Sequence, residues 1–89
     1  MEAAEKQLRR LIAMDAALAS PDGLRIAEFA TEHGIDAKTA RRLMSSLRSC
    51  GMEIATKRID EDGGHYSINR YVGRFRMFTM HVHRNSQGE

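Results

Sequence analysis

Lys38, Arg41 and Arg42 fall within one turn and a half of a would-be helix, and Thr39 and Ser45 stand beside them. Cations interleaved with small hydroxyl residues can approach a phosphate backbone closely and reach base edges in a groove. On a helical wheel Lys38, Arg41, Arg42, Ser45 and Ser49 share one side, while Ala40, Met44 and Leu47 share the other. A solvated charged face on an ordinary helix is the competing reading, so the neighbouring segments have to decide. Two further cations, Lys57 and Arg58, follow shortly after.

Other chemistry is thin. His81-x-His83 could form a metal pair with Cys50 or His65 as a third ligand, but the spacing matches no established zinc arrangement. Asp60, Glu61 and Asp62 cluster three carboxylates in what reads as a solvated turn. Gly63-Gly64 lacks the Lys-Ser/Thr continuation and the strand–helix context of a phosphate loop. No nucleophile–base arrangement stands out. The chain is read as a non-enzyme with no metal and no cofactor.

The elements that must carry the basic cluster follow from periodicity and punctuation. Ile26, Phe29 and Ala30 form an apolar stripe at helical spacing, His33-Gly34-Ile35 reads as a tight turn, and Asp36 stands where an N-cap belongs. Gly51 ends the next helix. Upstream, Ala4, Leu8, Leu11, Ile12 and Leu18 repeat at helical spacing and predict a first helix covering the core, interrupted by Arg9, Arg10 and Asp15. Ser20-Pro21-Asp22-Gly23 stops it. Met52 to Ile59 and His65 to Asn69 alternate as strands around the acidic Asp60-Glu61-Asp62-Gly63-Gly64 turn. The expected fold is mainly α with a small β-hairpin (α+β). Its three helices lie at about 3–19, 25–33 and 37–50, and its hairpin at 52–59 and 65–69.

Phe29-Ala30, Gly34-Ile35-Asp36, Lys38-Thr39-Ala40-Arg41-Arg42, Leu47, Gly51 and Gly63-Gly64-His65-Tyr66 together resemble a known pattern. The chain is similar, over roughly residues 8–69, to the winged helix-turn-helix domain at the N-terminus of DeoR-type and biotin-repressor-type transcription regulators. Two positions depart from it. Arg25 stands where such domains often put a capping Ser or Thr, and Leu43 where many relatives carry an acid. Leu43 lies about 60° from the Ala40–Met44–Leu47 stripe, so it is read as core.

The resemblance implies residues 1–69 as a winged helix-turn-helix of three helices plus wing, with helix 37–50 in the major groove of double-stranded DNA. Lys38, Thr39, Arg41, Arg42, Ser45, Lys57 and Arg58 are the expected DNA contacts, and the function is that of a small stand-alone transcription regulator. The alternative is a winged-helix protein–protein interaction module, an adaptor or inhibitor that leaves DNA alone. The acidic hairpin tip favours it, since phosphate would repel Asp60, Glu61 and Asp62.

Composition bounds these readings. Eighty-nine residues with 42% hydrophobic and 6% aromatic content suit one domain built on Leu, Ile, Met and Ala. The net charge is only +2, so clustering rather than total charge supports nucleic-acid binding. One cysteine permits no internal disulfide, and with no apolar run of membrane length the chain is expected to be cytoplasmic, without a membrane partner. No small-molecule ligand is expected. Residues 70–89 read as a C-terminal extension. Phe78, Met80 and Val82 alternate as in a further strand or a dimer contact, Tyr71 to Met80 is also open to a helix, and 85–89 reads as frayed. A homodimer, through helix 1 or that strand, is the expected assembly.

Overall fold

The computed structural model describes residues 2–73 and 76–78. Three helices precede a hairpin: α1 (Glu2–Leu18), α2 (Ile26–His33), α3 (Ala37–Ser49), β1 (Ile54–Glu61) and β2 (Gly64–Tyr71). The two strands pair antiparallel from Ile54 opposite Tyr71 to Glu61 opposite Gly64. Among the described residues no helix is long and apolar enough to cross a membrane.

The turn between α2 and α3 is closed by backbone geometry. Gly34 has φ of 64°, its N–H donates to Thr31 O at 3.3 Å, and the N–H of Ile35 donates to Ala30 O at 3.0 Å. This pair of bonds needs a left-handed residue, which glycine adopts without a steric penalty. Asp36 then caps α3, its Oδ1 accepting from the N–H of Thr39 at 2.8 Å. That bond, with the nearby charges of Arg42 and Arg41, holds the Asp36 carboxyl below its ordinary value. Arg25, by contrast, gives α2 no side-chain cap. The C-terminus of α3 repeats the closing pair of bonds, Gly51 N–H to Arg48 O and Met52 N–H to Leu47 O.

Burial on α3 follows its apolar stripe. Ala40, Leu43, Met44 and Leu47 are buried, so Leu43 is core. They meet Phe29 and Ala30 of α2 and the second half of α1. There the structure corrects the expected stripe: Ala4 and Leu8 are exposed, and Met14, Asp15 and Leu18 are the buried residues of α1. The wheel position of Leu11 is shared by both stripes, but only the C-terminal half of α1 lies over the core.

The loop after α1 adds a short third lane to the sheet. Leu24 and Asn69 exchange backbone hydrogen bonds of 2.8 and 2.9 Å. The buried Asn69 side chain completes the junction, Nδ2 donating to Leu24 O at 3.0 Å and Oδ1 accepting from Thr56 Oγ1 at 2.6 Å. Chain and sheet come so close here that an ideal Cβ on Gly23 would lie 2.5 Å from Ile68 Cγ2 and 2.9 Å from Asn69 O, at φ of +74°. Only glycine fits that position.

The hairpin differs in extent from the expected 52–59 and 65–69. Asp60 and Glu61 belong to β1, and only Asp62-Gly63 turns. A two-residue Asp-Gly connection lets the ladder run to its limit, and the acidic side chains simply stay exposed on it.

Asp15 is the largest departure. It is fully buried, and its carboxylate accepts from Tyr71 Oη at 2.6 Å, the N–H of Met77 at 2.7 Å, Arg76 Nε at 3.1 Å and the N–H of Phe78 at 3.1 Å. Residues 76–78 thus form a bend pinned to α1, and Phe78 is not in a strand. Met80 and Val82 of the expected strand, His81 and His83 of the metal pair, and 85–89 lie outside the described residues. Burial first, then the hydrogen bond to Asp15 and its charge, push the Tyr71 phenol well above the ordinary tyrosine value. The neutral phenol is therefore favoured by the fold. Its contribution is whole below the unfolded value of about 10 and is lost as pH rises from there toward the folded value. The stability difference between wild type and Tyr71→Phe should be flat from about pH 7 to 9 and shrink above about pH 10. A difference that grows there would contradict this.

Candidate nucleic-acid interface

Four cations and no acid occur within α3: Lys38, Arg41, Arg42 and Arg48. The buried stripe on the opposite side fixes which way they point. Lys38, Arg41, Arg42, Ser45 and Ser49 are all exposed, so the structure brings the expected helical contacts onto one solvent face. Thr39 is half-buried at the edge of that face, its N–H committed to the Asp36 cap. Arg48, which the sequence reading left out, reaches back with Nη2 to Ile54 O at 3.4 Å and ties α3 to the start of β1.

The hairpin cations do not act together. Lys57 stands opposite Ile68 and Arg58 opposite Ser67. Adjacent strand residues point to opposite faces, so one protein surface cannot use both. Arg58 also spends charge on Asp60, Nε to Oδ1 at 3.0 Å, both side chains being largely exposed. Such a pair is worth little to stability, yet it offsets the cation that would meet a phosphate.

Arg25 carries a role its missing cap did not reveal. Its guanidinium lies over the Tyr66 ring at 3.8 Å from the centroid and pairs with Glu28 at 3.3 Å. The start of α2 is thereby held against β2. Between them and α3 opens a cleft of about 310 Å³, lined among others by Arg25, Arg41, His65, Tyr66 and Ser67. Glu28 offsets Arg25, and Glu32, Asp60, Glu61 and Asp62 are exposed on α2 and the hairpin, so the positive charge of this side rests on α3, with Arg41 reaching into the cleft's lining.

Cys50 and His65, the third ligands considered for a metal, sit apart in role: Cys50 caps α3, and His65 lies on β2 opposite Asp60. Comparison with protein-family models, curated proteins and solved structures finds no match. The exposed face offers guanidinium, ammonium and hydroxyl donors, groups able to bond anionic oxygens.

Proposed function

We propose that this chain is a winged helix-turn-helix protein that binds double-stranded DNA with α3 in the major groove and acts as a small transcription regulator in the cytoplasm. The observation that carries the reading is α3 itself: four cations and no acid on thirteen residues, with the reverse face buried. A rigid basic helix presented in this way fits the width of the major groove. The helix–turn–helix–hairpin order and the tight Gly34 turn support the same reading.

Lys38 and Arg41, in the first half of α3, contact base edges with Ser45 beside them. Arg42 and Thr39 contact the backbone. Arg41→Ala should cost about 1–3 kcal/mol and blur preference at one base position. Arg42→Ala should weaken every sequence alike and flatten the salt dependence by about one unit. Titration of both variants against a panel of duplexes separates the roles, and identical profiles would refute the division. A single such module buries only roughly 600–1,000 Å² on DNA, so a homodimer reading two half-sites completes the proposal.

One observation favours a second reading. Asp60, Glu61 and Asp62 stay exposed at the end of the hairpin, where phosphate would repel them. A protein-binding adaptor on the same scaffold would tolerate that charge, and such an adaptor would leave duplex DNA unbound.

A further inference from the structure

The cleft between α2, α3 and β2 has an open sheet edge in it. Asn69 directs its N–H and C=O to Leu24, and residues two apart along a strand direct theirs to the same edge. Ser67 and His65 therefore turn their backbone groups to that edge, at the point where the chain beyond Leu24 has left the sheet for α2. Among the described residues neither has a backbone partner there. The cleft is lined by Ser67, whose amide faces this open edge, together with Arg41 and Arg25. Arg41 forms no ion pair among the described residues. Arg25 uses Nη1 on Glu28, and its side chain stays 40% exposed, with further N–H donors available.

We propose that this cleft seats one backbone phosphate of duplex DNA, held by Arg41, Arg25 and Ser67, so that the hairpin meets the duplex along the β2 edge instead of at its tip. This rests on the reading that α3 binds duplex. If the cleft holds, Arg41 reaches the backbone at the groove rim as well as the adjacent base edge. Electrostatics favours the edge over the tip. Ser67 lies three strand residues from Gly64, about 10 Å along β2, so Glu61 and Asp62 stand about one Debye length away at physiological salt, while the nearer Asp60, opposite His65, is paired with Arg58. At that distance Glu61 and Asp62 repel a phosphate less, whereas a phosphate at the tip would meet them directly.

Substitutions at the exposed Ser67 test the site with both signs of charge. Ser67→Glu should weaken binding of a random duplex by roughly 10-fold or more at about 50 mM salt, and Ser67→Lys should tighten it several-fold and steepen the salt slope by about one unit. Asp62→Lys at the tip should change affinity far less than either. Thermal melts equal to wild type confirm that each variant is folded. If both Ser67 variants bind like wild type while Lys38/Arg41/Arg42→Ala loses binding, α3 reads DNA and the cleft does not hold phosphate. If Asp62→Lys has the larger effect, the hairpin meets DNA at its tip and the proposal is wrong. If the wild type binds no duplex, the proposal falls together with the DNA reading.

Discussion

Asp15→Ala should destabilise the fold by about 3–5 kcal/mol, the largest loss expected from any single substitution at a polar residue. The carboxylate is fully buried and takes four hydrogen bonds at once, from Tyr71, Arg76, Met77 and Phe78. Removing it leaves the buried Tyr71 hydroxyl and two half-buried amides without acceptors, at about 1–3 kcal/mol for each that water cannot reach. Arg76, 35% exposed, can turn toward solvent and softens the loss. Against a total stability of about 5–15 kcal/mol for a domain, this is a large share. Asp15→Asn keeps the volume and one good acceptor, so it should fall between alanine and wild type. Urea unfolding measures both. A loss under about 1 kcal/mol for Asp15→Ala would show that the bend at 76–78 is not anchored as described.

The largest effect on binding is expected from Lys38, Arg41 and Arg42 replaced together by alanine. All three are exposed and alanine is the best helix former, so the fold should be kept. Duplex affinity should fall at least ~100-fold, since two base-edge contacts and one backbone contact are lost at about 1–3 kcal/mol for each of the former. The slope of log K against log salt should become shallower by about one unit from Arg42, and by about two if Arg41 also meets the cleft phosphate. A folded triple variant that binds duplex like the wild type would remove α3 as the reader.

Local features of this chain were legible from its residues, and long-range ones were not. Gly34 and Asp36 act on groups three to five residues away, so turn chemistry and capping place them directly. Leu43 followed from the wheel, because a helical face is fixed by spacing alone. Asp15 looked like an interruption of an apolar helix. Its partners lie 56 to 63 residues further on, and no local pattern announces a carboxylate that will be enclosed by them. Asn69 is the same case, bonded to Leu24 across 45 residues. The composition of Asp60 and Glu61 predicts a turn, but strand register is decided by the two-residue Asp62-Gly63 connection. Lys57 and Arg58 show a signal present and unused: the period of two in a strand already separates neighbours onto opposite faces. Arg25 was read as a poor cap. Its place over Tyr66 became visible only once α2 and β2 were side by side.

Titration of the wild-type protein with a random DNA duplex at about 50 and about 200 mM salt tests the central claim most directly. With two to three phosphates neutralised by α3 and the cleft, affinity should be measurable at the lower salt and fall by about 10- to 50-fold at the higher. Absence of duplex binding at about 50 mM salt, or binding indifferent to salt, would contradict DNA recognition by this protein and leave the adaptor reading in its place.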